Sequence, residues 1–189
     1  MIHPESVYFA VKNIEESGFK LNTSNNRRQG SRKTMANIII SAKPARITMG
    51  PIGFIVYAED FLNAYKSFKI DKPFLPVKYY LICRSVELSL KSYLLFKSVS
   101  IKKVKCKFGH DLQKILKKSI ELGIGAVEGI TDEEQAEIEK ANNWYNRKGF
   151  EYFDIQNTLE SKDTLPNLSV VFNLADRLIN SLKPIIERQ

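Results

Sequence analysis

With 189 residues, 43% of them hydrophobic and only 9 Gly and 7 Pro, the chain has apolar material for one compact domain and a short appendage, which excludes two large domains and wholesale disorder. Two cysteines, Cys83 and Cys106, are too few for a disulfide scaffold, Met1 to Glu5 lack a signal peptide's apolar stretch, and no apolar run approaches the ~20 residues of a membrane span. A soluble, cytoplasmic protein with no membrane partner is expected, and a net charge of +8 is compatible with an acidic partner.

Residues 1–50 read as a basic N-terminal extension, partly irregular, ahead of a helical region over 51–189. Pro4 and Glu5 suit the first turn of a short helix reaching about Ile14, and Asn22 to Lys33 is polar and basic enough for a loop or arm. Ile38-Ile39-Ile40 fits a buried strand or a helix alike. From there the pattern is helical. Phe54, Tyr57, Ala58, Phe61, Leu62, Tyr65 and Phe68 recur at three and four residues, bracketed by Gly50, Pro51 and Gly53 before and Pro73 after. A second, mostly apolar helix is expected from about Pro76 to Val99. Leu112, Ile115, Leu116 and Ile120 mark a third that starts near His110 or Asp111 and ends at Gly123. Thr131 and Glu134 have capping-box spacing, so a fourth helix starts there and runs to about Lys148. Leu168, Val171, Phe172, Ala175, Leu178 and Leu182 mark a fifth over roughly Pro166 to Leu182. No alternating pattern of useful length interrupts these, so the fold class is all-α, an up-and-down bundle of about five helices.

Charge is segregated along the chain. Residues 91–118 hold nine lysines against the single acid Asp111, while residues 119–163 hold eleven acids against four bases. The extension adds eight bases against three acids, among them Arg27, Arg28, Arg32 and Lys33. Either the lysine block attracts phosphates, or it meets the acidic block within the fold or across a dimer.

The stretch Tyr80-Leu-Ile-Cys-Arg84-Ser-Val-Glu87-Leu-Ser-Leu-Lys91, followed by a lysine-rich link and Phe108-Gly109-His110-Asp111-Leu112, resembles the HEPN superfamily, whose members often carry a Glu followed by Leu-Lys and a Gly-His-Asp-Leu start to the next helix. Trp144-Tyr145 and Phe150-Glu-Tyr-Phe153 are compatible with it. The resemblance spans residues 54–182 loosely. It implies a helical bundle, usually a homodimer, associated with nucleotides or RNA in toxin–antitoxin, antiphage or stress systems. Catalytic members place an Arg before a His with four to six residues between. Here Lys105, Val104 and Lys103 stand at those places before His110, so the ribonuclease pair is missing.

On a helical wheel Tyr80, Arg84, Glu87 and Lys91 share one stripe, with Ser85, Ser89 and Ser92 on the far side. Glu87 and Lys91 form a surface pair, or Arg84 and Lys91 touch phosphate with Glu87 orienting them. Asp111 caps a helix start, and His110 makes a structural hydrogen bond or, beside Lys103, Lys105 and Lys107, contacts phosphate or moves a proton. Asn142, Asn143, Tyr145, Asn146 and Arg147 read bases or cap a helix end, and Trp144 reads as core. Cys106 and His110 are two ligands where a metal needs three or four, so no metal is expected, nor any other cofactor. Three functions follow: an RNA- or nucleotide-binding protein using Arg84, Lys91, Lys103, Lys105, Lys107, His110 and Arg147 with Glu87, Asp111 and Tyr145 in orienting roles; a divergent metal-independent ribonuclease using His110; and a non-catalytic subunit that binds a cognate protein.

Overall fold

The computed structural model describes residues 49–70, 75–152 and 162–188. The short helix, basic loop and isoleucine run expected before residue 49, and Phe153 of the aromatic cluster, lie outside the described residues. Six helices account for the rest: α1 (Pro51–Ser67), α2 (Pro76–Phe96), α3 (Ile101–Lys103), α4 (Leu112–Glu121), α5 (Asp132–Tyr145) and α6 (Leu168–Ile186). No strand occurs among the described residues.

Helix α2 is central among the described helices. It touches α1, α4, α5 and α6, so Ile82, Cys83 and every residue from Ser85 to Leu94 are buried. The three serines make the α1 contact close. Ser85 Oγ donates to the Ala58 carbonyl at 2.8 Å and Ser92 Oγ to the Pro51 carbonyl at 2.6 Å, while Ser89 Oγ bonds back to Ser85 at 2.9 Å. Each buried hydroxyl is thereby satisfied without a large side chain between the helices. Trp144 is core, as its apolar ring requires, stacked on Phe150 with its indole N–H donating to the Thr164 carbonyl at 3.2 Å.

The helix ends follow local chemistry. Asp111 caps α4, accepting from the Lys114 amide at 3.0 Å, and Gly123, at φ 84°, turns the chain away after it. The capping box at α5 is formed on both sides, Thr131 Oγ1 accepting from the Glu134 amide and Glu134 Oε2 from the Thr131 amide. Helix α2 stops at Phe96 rather than Val99, and α5 at Tyr145 rather than Lys148. In each case a non-glycine residue, Ser98 or Lys148, takes φ 62° and closes a Schellman motif, with Val99 N–H on Leu94 O and Gly149 N–H on Trp144 O. Helix α6 starts at Leu168, capped by Asn167, and runs past Leu182 to Ile186.

The lysine-rich link is itself helical, which takes the count from the expected five to six. One turn, α3, capped by Ser100, runs into a π-turn over Val104–Phe108. Val104 and Phe108 are buried and pin this turn to the core, so Lys102, Lys103, Lys105 and Lys107 face outward. No helix among the described residues is long and apolar enough to cross a membrane.

Candidate functional site

Arg84, Glu87 and Lys91 lie on one stripe of α2, as helical spacing dictates. The stripe is not at the surface. The side chain of Glu87 is 0% exposed and that of Lys91 8%, so the expected surface pair is a buried one: other helices cover the stripe. Glu87 is the hub. Its Oε1 accepts from Lys91 Nζ at 2.5 Å and Arg84 Nη1 at 3.0 Å, and its Oε2 from the Tyr145 hydroxyl at 2.5 Å and His110 Nδ1 at 3.1 Å. Burial by itself would raise the Glu87 pKa, but the charges of Lys91 and Arg84 outweigh it and hold the carboxyl below the ordinary glutamate range. The Tyr145 phenol is pushed up by burial and by the Glu87 charge, so it stays protonated and donates.

Two other elements deliver the remaining partners. The turn through Gly109, at φ 53°, presents His110 just before α4. Asn142 of α5 fixes that start by accepting from the Leu112 amide at 2.7 Å, and Tyr145, three residues on and so on the same face, reaches Glu87. Asn142 is therefore a capping residue. Because an ionised Glu87 only accepts, His110 Nδ1 carries the hydrogen toward it, and Arg84 Nη1 at 3.3 Å is a neighbouring cation rather than a donor to that nitrogen. The imidazole is 55% exposed, while Arg84, 26% exposed, keeps a buried Nε with no partner among the described residues.

The exposed lysines form a second feature. Lys103 and Lys107, one turn apart on the π-turn side, face Lys114, Lys117 and Lys118 of α4 across a cleft of about 210 Å³ whose floor is Phe108. Among the described residues Glu121 is the only acid of its lining, bonded to Lys118 at 2.9 Å, and Lys114 is held by Asp111 at 2.8 Å. Lys103, Lys107 and Lys117 have no acid within ion-pair distance among the described residues. The Glu121 pKa is lowered first by the Lys118 hydrogen bond and charge and then by the charges of Lys117 and Lys107. An adjoining open hollow is lined by Ser100, Lys102, Lys103, Cys106 and Lys107.

No family model, curated protein or solved structure matches the chain.

The structure thus joins Arg84, Glu87, Lys91, His110 and Tyr145 in one network, with the Lys91 ammonium held inside by Glu87. Lys103 and Lys107 stand instead with the α4 lysines. Lys105 is exposed and lines neither hollow, and Arg147 lies over the Trp144 ring at 5.0 Å. Among the described residues no three metal-ligating side chains converge. Lys114, Lys117 and Lys118 belong to the lysine block over 91–118 without being among its expected contact residues, and their spacing of three and four places them on one face of α4. Arg177 gave no signal at all. It ties α6 to α5 through Glu134 at 2.7 Å and to the segment before α5 through Glu128 at 2.7 Å.

Glu87, Glu128, Glu134, Glu137 and Asp111 all sit below their ordinary pKa; burial opposes each shift and their hydrogen-bonded partners overcome it. A carboxylate whose folded pKa is depressed stabilises the fold above its unfolded value, and that contribution is lost as pH falls through the folded one. The urea midpoint is expected to hold from neutral pH down to about 5 and then drop steadily. A midpoint that rises with acid would mean that Glu87 is protonated in the fold.

Proposed function

We propose that the chain is a HEPN-like helical protein, built as an up-and-down bundle, that binds RNA or a nucleotide through its phosphates at the lysine-rich segment 101–118. It acts as a binding module, and the resemblance of Glu87, Lys91 and Gly109 to Leu112 supports a homodimer. The observation that carries the reading is the set of three ammonium groups, Lys103, Lys107 and Lys117, around one cleft and without an ion-pair partner among the described residues. Lysines are point charges without a fork to read base edges, so recognition there is of phosphate rather than sequence.

The test is a salt titration with single-stranded RNA followed by fluorescence anisotropy. Three to five lysine contacts give a slope of log affinity on log salt of about −2 to −3.5. Replacing Lys103, Lys107 and Lys117 together with Glu should abolish that dependence. Salt-independent binding, or equal binding by the triple variant, would remove the basis of the proposal.

A second reading, RNA cleavage by His110, draws on the Glu87–His110 bond. A buried carboxylate that takes the Nδ1 hydrogen orients an imidazole for proton transfer at Nε2, and Arg84 stands beside it to steady a phosphate. On this reading His110→Ala lowers cleavage by about two to four orders of magnitude. Equal degradation of RNA by wild type and His110→Ala would discard His110 as the catalyst.

A further inference from the structure

We infer that the cleft between the Val104–Phe108 turn and α4 takes a short linear chain of phosphates, the end of a molecule rather than the middle of a nucleic-acid strand. This rests on the phosphate-binding reading above and narrows it.

Three features of the cleft point the same way. The first is charge. Five lysines and one glutamate surround about 210 Å³. With Lys114 also engaged by Asp111, the surplus is three to four positive charges. A terminal phosphate carries about −1.5 to −2 and each inner phosphate adds one more, so two or three phosphates in a row bring about −3 to −4. A phosphodiester backbone carries one charge per nucleotide, and a cleft this small receives only about one of those at a time. Terminal oligophosphate therefore matches the surplus, and internal backbone does not.

The second feature is size. Pockets that engulf a drug-sized ligand run from about 300 to 1,000 Å³, so a base with its ribose stays outside this one. The third is that no described residue of its lining offers a stacking platform. Phe108, the only aromatic residue among the described residues of the lining, is buried at 6% exposure as the cleft floor. A base therefore finds no ring face to lie on. In addition, Lys103 and Lys107 lie four residues apart, a like-charge spacing that an anion between them relieves, whereas Lys114 and Lys118, equally spaced, are already paired with Asp111 and Glu121.

Terminal oligophosphate has two sources, the 5′ end of an RNA and a free nucleotide, and the experiment separates them. The full chain is titrated by anisotropy, at matched ionic strength, with one RNA sequence bearing either a 5′-triphosphate or a 5′-hydroxyl. Inorganic triphosphate and a nucleoside triphosphate serve as competitors. The 5′-triphosphate RNA is expected to bind at least about tenfold more tightly, the worth of one or more charge-assisted contacts, and inorganic triphosphate should erase the difference. Lys107→Gln with Lys117→Gln should lose the tenfold preference. Lys69→Gln with Lys97→Gln, an equal loss of charge outside the cleft, should keep it. Competition by the nucleoside triphosphate as strong as by the RNA end assigns the site to free nucleotides, and weaker competition assigns it to RNA. Equal affinity for both RNAs, without displacement by triphosphate, overturns the inference while leaving backbone binding in place. Triphosphate binding without any RNA binding upholds the cleft and overturns the RNA reading. Binding of neither overturns both.

Discussion

Replacing Glu87 with alanine should destabilise the protein by about 3–5 kcal/mol, the range for breaking a buried ion pair from one side. Lys91 would be left with its ammonium out of water and no counter-charge, and the Tyr145 hydroxyl would lose its acceptor. At roughly 2–4 °C per kcal/mol for a chain of this length, the melting temperature falls by about 6–20 °C. The cost lies in the orphaned partners rather than in the strength of the pair. Replacing Glu87 with Leu, Lys91 with Met and Tyr145 with Phe together should therefore recover most of it, since apolar side chains of similar volume often substitute for buried ions without loss. Urea unfolding of the single and triple variants measures both. A single change costing under about 1 kcal/mol would place Glu87 in contact with water and dissolve the hub.

Ser85→Leu should cost about 2–4 kcal/mol, from overpacking and a lost hydrogen bond together. Ser85 is fully buried and its hydroxyl lies 2.8 Å from the Ala58 carbonyl, so a branched side chain has nowhere to go unless α1 moves off α2. Ser85→Ala makes no such demand and should cost only about 1 kcal/mol, the net worth of one hydrogen bond. The difference between the two midpoints isolates the close approach of the helices. If leucine were no worse than alanine, α1 would not be packed against that face.

Much of the helical layout was legible in the residues. Apolar recurrence at three and four marks α1, α4 and α6, the apolar stretch after Pro76 marks α2, and the Thr131 to Glu134 box marks α5; this box, the Asp111 cap and the Gly123 stop are legible because they act within one turn of their own position. Where a boundary moved, as at Ser98 and Lys148, a residue other than glycine had adopted the left-handed conformation, which side-chain type alone does not announce. The π-turn escaped notice because its lysines dominate the composition and its two anchors, Val104 and Phe108, are too few to show a period.

The sequence by itself determined that Arg84, Glu87 and Lys91 share a stripe, because that follows from the pitch of one helix. Only the tertiary structure decided that the stripe is buried and what completes it. Glu87 meets His110 and Tyr145, 23 and 58 residues away, and those partners come from the packing of α4 and α5 against α2. The same holds for the lysine cleft, where two short cationic faces acquire a shared volume only when the π-turn is pinned beside α4. Periodicity is a property of one segment, whereas burial and electrostatic surroundings belong to whatever covers it.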